Sequence, residues 1–379
     1  MTKIALVHDW LNQLGGAEDV LVNLHQMFPQ APVFTSIYDR ARMPKAWQSW
    51  DIRSTALDQM PGIHRHHQPY MPLFAWSWAQ RKIPAEYDVV LSNKSAFCMG
   101  ARPLHPQAKH ICYCLTPTRF IYDFESYVAR GEKMPPGAAT ILRALNSYLR
   151  RWETQAAHRV HTFIAISREV QQRIKTLYGR ESVIVYPPVE MHRRDASAQK
   201  PLHRVSTNDD GFYLIVSRLL PYKRVDLAIE AFSRLGLPLV IAGDGRDRAR
   251  LERLADQSAQ KHPNANVKFL GRVSDETLYE LLTDCKAFVF PGFEDFGIAP
   301  IRAMAYGKPV IAFAKGGALD TVLDNVTGTL FQEQRVEPLI DAVQKNSKVT
   351  FAPADIRQHA EQFSVERFRR EMLDVLKNY

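Results

Sequence analysis

The 379-residue sequence predicts an α/β protein built from two doubly wound, Rossmann-like domains that face a central cleft. Three observations predict it. Short apolar runs alternate with longer amphipathic stretches along most of the chain, which is the rhythm of strands followed by crossover helices. That rhythm breaks over residues 187–211, a polar stretch with three prolines, and then restarts. At roughly 150 residues per domain the length itself allows two to three domains.

The first element is Lys3–His8, a buried strand by its apolar run, closed by the turn Asn12–Gly16. Ala17, Val20, Leu21 and Leu24 then repeat at helical spacing, so a helix runs from Ala17 to Met27. Further strands are expected at Val89–Ser92, His110–Cys114, Phe163–Ile166 and Val183–Val185, with helices at Ala138–Arg159 and Arg168–Leu177. After the break, strands are expected at Tyr213–Val216, Pro238–Ala242, Asn266–Leu270, Ala287–Phe290 and Pro309–Phe313. The helices between them include Lys223–Leu235 and Asp247–Gln260. The break divides the chain into an N-terminal domain, 1–195, and a C-terminal domain, 196–362, and residues 363–379 hold a last helix, Val365–Leu376, that can pack on either half.

Composition excludes several classes. With 46% hydrophobic and 23% charged residues the chain is an ordinary globular one. No apolar run reaches the ~18 residues of a membrane span, and MTKIALVHDW turns polar too soon for a secretory leader. Four cysteines in a chain of this size form no disulfide scaffold, no Cys/His spacing fits zinc, and a reducing cytoplasm is expected. Residues 1–195 carry 24 basic against 16 acidic side chains, residues 196–379 carry 25 against 24. The basic first half points to an anionic substrate or an anionic membrane surface, or to solvated charge alone. No nucleic-acid-binding signature accompanies it, so no nucleic-acid partner is expected.

Chemistry concentrates at the carboxyl ends of the expected strands. Gly15-Gly16 closes the first strand and opens a helix, giving a ligand bare backbone and free N–H groups, though such turns are often structural. Arg218 and Lys223, in SRLLPYKR after the strand Tyr213–Val216, are spaced to converge on one anion. An Arg fork with a Lys point charge suits a diphosphate, and two solvated cations are the alternative. FPGFEDFGIAP places Glu294 after a strand and Gly297 at a helix mouth, so amides and a carboxylate meet there. Lys315-Gly316-Gly317-Ala318 repeats the bare backbone after a later strand.

The order of these segments resembles the retaining glycosyltransferases of family 4, which have the GT-B fold and use nucleotide-sugar donors. The matching segments are HDWLNQLGGAEDVL, HICYCLTPTRFIYD, VYPPVE, VSRLLPYKRVDLAIEAF, LVIAGDGRDRARL, VKFLGRVSDETL, GFEDFGIAPIRAMAYGKPVIA and GGALDTV, from residue 8 to about 322. The resemblance implies that Gly15 and Gly16 lie near the donor phosphate and the acceptor cleft. Arg218 and Lys223 would grip the diphosphate, Arg272 and the Val273 backbone would hold the base, and Glu294 would reach the sugar hydroxyls. The amides of Phe296, Gly297 and Ile298 would embrace sugar and phosphate. It implies acceptor binding in 1–195, nucleotide-sugar binding in 196–362 and a last helix, 363–379, crossing back to the first domain. It also implies no metal or other cofactor, a lipid-linked saccharide acceptor in bacterial surface-polysaccharide assembly, and a peripheral place at the inner face of the plasma membrane.

Two positions depart from the family pattern. The second glutamate of E-x7-E is here Arg302, and a histidine of the Cys-His-Thr-Pro segment is Leu115. A carboxylate accepts from ribose hydroxyls, whereas arginine only donates. Three readings of Arg302 stay open: an outward or donating arginine, a deoxyribose donor such as a dTDP-sugar, or a degenerate active site. A catalytically dead nucleotide-binding or scaffold protein is therefore the alternative to an enzyme, and an epimerase of the same fold is disfavoured. Elsewhere, YMPLFAWSW at 70–78 reads as core or as a membrane face. His64, His66 and His67 read as surface polarity, and His110, Cys112 and Cys114 as core.

Overall fold

A parallel strand buried on both faces needs apolar side chains on both, and the two sheets of this protein are built from such runs. The structure, a computed structural model, describes residues 2–122, 138–191, 211–377 and 379. Most of the expected polar connection at 187–211 lies outside them. Two compact units form: residues 1–188 together with 368–379, and residues 189–367.

The first unit contains β1 (Ile4–His8), β2 (Val33–Thr35), β3 (Ile52–Arg53), β4 (Lys82–Ile83), β5 (Val89–Lys94), β6 (Arg102–Pro103), β7 (Lys109–Cys114), β8 (Thr162–Ala165) and β9 (Ser182–Ile184). Seven of these form a parallel sheet in the order β3-β2-β1-β5-β7-β8-β9, while β4 and β6 pair separately. Its helices have legible ends. Ser167 caps Arg168–Tyr178 through its hydroxyl, and Gly179 closes that helix in the left-handed region. The helix Val365–Leu376 buries Phe368 and Met372, and the Phe368 ring meets Tyr113 of β7 edge-on at 5.7 Å.

The second unit contains β10 (Tyr213–Val216), β11 (Pro238–Ala242), β12 (Asn266–Gly271), β13 (Ala287–Phe290), β14 (Val310–Phe313) and β15 (Gly328–Phe331). They form one parallel sheet, ordered β12-β11-β10-β13-β14-β15. Ile215, Ile241, Val289 and Ile311 from four of its strands pack against Val225, Ile229 and Phe232 of the helix Val225–Leu235, with Leu339 and Val343 of the helix Val336–Lys348 in the same core.

The structure shifts one expected element in a way that matters. Residues 221–223 form a single 3-10 turn, Arg224 adopts φ 52°, and the helix begins only at Val225. Lys223 therefore belongs to the loop at the sheet edge and not to the helix. Strands β2, β3, β4, β6 and β15 were not foreseen; four of the five have three residues or fewer, too short to show a period.

Candidate active site

In the second sheet the chain moves from β10 outward through β11 and β12, then returns to place β13 on the other side of β10. Where strand order reverses, the loops leaving the two central strands part and open a crevice at their carboxyl ends. Lys223 stands on the loop after β10 and Glu294 on the loop after β13, and they form an ion pair there. Their side chains are 12% and 21% exposed, so the pair borders solvent without being free in it. Tyr222 lies under the same ammonium, which is 5.2 Å from its ring centre.

Both loops are braced from behind. Arg224 holds a left-handed backbone that costs a non-glycine residue about 1–2 kcal/mol. Its guanidinium donates to Asp226 at 3.2 Å and to the Gln334 side-chain oxygen at 3.3 Å. The Gln334 amide in turn donates to the Pro291 carbonyl at 2.9 Å. The loops also touch directly: a Cβ on Gly292 would lie 2.9 Å from the Lys223 Cα, so only glycine fits without a shift.

A third loop completes the wall. Gly317 donates its N–H to the Glu294 carbonyl at 2.9 Å, and a side chain on Gly316 or Gly317 would strike the backbone of Glu294 or Phe296. Gly297, at φ 97°, turns the chain into the helix Ile298–Ala305. Phe296 is buried with its ring edge-on to Phe363 at 5.8 Å, which turns its side chain away and leaves the backbone of 296–298 at the helix entrance. The crevice thus combines an ammonium, a carboxylate and the positive end of a helix.

The other expected residues fall around it. Arg218 is exposed directly after β10 and its guanidinium is unpaired among the described residues. Arg272 and Val273 follow β12 at the sheet margin, Arg272 exposed and Val273 half-buried. Arg302 lies in the helix Ile298–Ala305, close to Tyr279. Burial raises the Tyr279 phenol above its ordinary value, Asp275 adds to this, and the Arg302 guanidinium opposes it. Tyr279 stacks on Tyr306 with ring centres 6.1 Å apart. Gly15 and Gly16 belong to the first unit, where Gly15 precedes the helix Gly16–Met27.

Sequence reasoning missed a polar core at the carboxyl edge of the first sheet. Lys94, the last residue of β5, is fully buried and donates to Glu153 at 2.7 Å, to the Thr116 carbonyl at 2.9 Å and to the Thr118 hydroxyl at 3.1 Å. Tyr178 donates to the same Glu153 oxygen at 2.6 Å. Burial pushes the Lys94 ammonium down, but Glu153, with Cys114 and Cys112 beside it, outweighs this, so its affinity for the proton exceeds the ordinary lysine value. These contacts fix the loop Leu115–Thr118. Asp9, also buried, accepts the N–H groups of Ser95, Ala96, Phe97 and Cys98 at 2.6–2.7 Å. The available signal was a lysine three residues beyond the apolar run Val89–Leu91.

Two secondary expectations resolve. In the helix Met71–Gln80, Phe74, Ala75 and Trp78 are buried while Leu73 and Trp76 are exposed, so the segment is both core and surface. His67 is not plain surface polarity: its ring accepts from the Asn12 amide at 3.1 Å and packs on Trp10 at 5.3 Å. Among the described residues no group of three His, Cys, Asp or Glu side chains is arranged to hold a metal ion. Nor is any described helix long and apolar enough to cross a membrane.

Comparison with known proteins agrees with this arrangement. Residues 14–193 match the family model of Glycosyltransferase Family 4, and residues 200–363 match that of Glycosyl transferases group 1. The chain is 26% identical over 278 residues to the alpha-1,3/1,6-mannosyltransferase ALG2 of Dictyostelium discoideum, covering 65% of this chain and 63% of the relative. It is 29% identical over 170 residues to the O-antigen chain mannosyltransferase C of Escherichia coli, covering 44% and 45%. The chain thus spans less than two thirds of the length of either relative. Its fold matches the crystal structure of Anabaena Alr3699/HepE in complex with UDP, with a TM-score of 0.68, 19% identity and all of both chains covered. With a family 4 domain followed by a group 1 domain, each on its own doubly wound parallel sheet, the chain belongs to the GT-B glycosyltransferases.

Proposed function

We propose that this protein transfers a glycosyl group from a nucleotide diphosphate sugar to a hydroxyl of a saccharide acceptor, with the anomeric configuration retained. The observation that carries the reading is the Lys223–Glu294 pair at the strand-order reversal of the second sheet, backed by glycine loops and a helix N-terminus. Negative charge grows on the departing diphosphate as the glycosidic bond to it breaks. Groups fixed beforehand to meet that charge lower the barrier most. Lys223 and the unpaired Arg218 supply cations, and the amides at 296–298 supply hydrogen-bond donors. Glu294 is the acceptor for sugar hydroxyls. With the diphosphate met by these groups the reading needs no metal cofactor.

Arg272 and the Val273 backbone would take the base at the margin of the sheet. The Arg302 guanidinium acts on the Tyr279 phenol, which supports the first of its three readings. The O-antigen chain in the name of the Escherichia coli relative supports a surface saccharide as the proposed acceptor, and the family resemblance supports its being lipid-linked. The basic first half, with Leu73 and Trp76 exposed on one helix face, supports a peripheral approach to anionic lipid.

The test is a thermal-shift screen over UDP-, GDP-, ADP- and dTDP-sugars, followed by release of nucleotide diphosphate with and without octyl glycoside acceptors in the presence of chelator. Stabilisation by a donor together with acceptor-dependent release supports the reading. Binding of nucleotide without turnover on any acceptor would favour the scaffold alternative, and loss of release on chelation would show a metal at work.

A further inference from the structure

A second cleft lies at the amino edge of the second sheet, opposite the edge that carries Lys223 and Glu294. The first residue of β10, the turns before β13 and β14, and the end of the helix Val336–Lys348 line it, and it encloses about 590 Å³. Small-molecule sites have volumes of this size. Two polar side chains reach it from the core. Tyr213 is 4% exposed and its ring packs on Phe232 with centres 4.9 Å apart, yet its hydroxyl has no hydrogen-bond partner among the described residues. Asn346, 6% exposed, donates its amide nitrogen to the Thr329 hydroxyl at 3.1 Å. That bond fixes the amide and leaves its carbonyl oxygen without a partner among the described residues. Polar groups placed this deep normally have partners.

Charge of both signs surrounds these two groups. Lys286, exposed, and Lys308, half-buried, line the cleft just before β13 and β14, and Asp284 lines it at the end of the helix Asp275–Asp284. None of the three forms an ion pair among the described residues. The helices Asp275–Asp284, Ile298–Ala305 and Val336–Lys348 also end at this edge and bring their negative ends to it. A phosphate in the cleft would face those ends and Asp284, and an ammonium would face two lysines. A neutral molecule whose groups both donate and accept meets every one of these partners favourably, and hydroxyls do both. Phe351, half-buried, adds an apolar surface to the lining.

We infer that this cleft is a saccharide-binding site separate from the candidate active site, in which sugar hydroxyls bond to Tyr213, Asn346 and the two lysines and the carbon face of the ring lies on Phe351. It stands whether or not the protein transfers sugars. All four native cysteines are buried, so Ala352→Cys, at an exposed position beside Phe351, gives the full chain one accessible thiol for an environment-sensitive fluorophore. Emission is titrated with methyl α-mannoside, methyl α-glucoside, methyl α-galactoside and inorganic phosphate. The titrations are repeated with Tyr213→Phe and Lys308→Met on the labelled chain, and thermal midpoints are followed in parallel.

The expected result is a saturable change with at least one glycoside. Its dissociation constant should rise about fivefold in Tyr213→Phe, the scale of one neutral hydrogen bond, and about tenfold or more in Lys308→Met, where a charged donor is lost. A response merely linear in all three glycosides overturns the inference. So does a saturable response to phosphate alone that salt screens away, which would make the cleft an anion site. Saturation with the same dissociation constant in both variants also overturns it, because the sugar would then be held elsewhere. If Lys308→Met does not fold, Tyr213→Phe, which keeps the ring against Phe232, decides alone.

Discussion

Lys223 and Glu294, 71 positions apart and on separate loops, neutralise one another at the reversal point of the second sheet. Each holds the other at the crevice. Under the proposed transfer, donor binding would exchange this contact, the ammonium turning to phosphate and the carboxylate to hydroxyls.

Lys223→Ala is therefore expected to lower the turnover number by 10²–10³, the scale seen when one preorganised donor to a developing charge is removed. Folding should survive, because the side chain is partly exposed and the turn is braced by Arg224 and Gln334. Single-turnover release of nucleotide diphosphate, compared with the wild type at matched thermal midpoints, is the check. Wild-type turnover in the variant would remove Lys223 from the mechanism.

Arg302 lies close enough to Tyr279 to act on its phenol. Arg302→Ala should thus leave the donor KM for UDP- and GDP-sugars unchanged while lowering the phenol's proton affinity less, so that Tyr279 titrates higher. Ultraviolet titration of the tyrosines and donor kinetics read the two effects separately. A large rise in donor KM would return the guanidinium to the ribose.

Lys94 is buried with its charge met by Glu153. Lys94→Met leaves that carboxylate uncompensated and should cost about 3–5 kcal/mol in urea unfolding of the protein. The double variant Lys94→Met/Glu153→Leu should recover much of this, because hydrophobic replacement of a whole buried pair is often neutral. Equal losses in single and double variants would show that packing around Thr118 and Tyr178, and not charge, sets the cost.

His110 supplies an acid-sensitive term. Burial, with His161 and Arg159 adding to it, holds the imidazole down to about 3 from an ordinary 6.5. Below 6.5 the unfolded chain takes up the proton first. The contribution to stability is therefore complete above that value and is lost as the pH falls toward 3, at roughly 1.4 kcal/mol per unit. Urea midpoints for His110→Asn should fall less steeply between pH 6.5 and 4.5 than those of the wild type. Parallel slopes would assign the acid limb to other groups.

Much of the fold was legible because parallel strands buried on both faces leave continuous apolar runs. Val310–Phe313 and Ala287–Phe290 show it, each fully buried and each expected within a residue of its observed ends. The second-unit site was legible for a related reason: Arg218, Lys223 and Glu294 directly follow such runs. What stayed hidden depends on contacts distant in sequence. Nothing near Lys94 announces Glu153, 59 positions on. Likewise Asn93 meets His8, 85 positions away, only because β1 and β5 lie side by side. The delayed start of the helix at Val225 follows from Arg224, whose unusual backbone is supported by Gln334, 110 positions later.

The docking of Phe368 on Tyr113 has a consequence for synthesis. A ribosome completes the whole of residues 189–367 before it makes the side chain that covers that tyrosine. Until then Tyr113 of β7 lacks the ring that packs on it. Substitutions at Phe368 should accordingly lower the yield of native protein on translation more than they lower the midpoint of the protein once made.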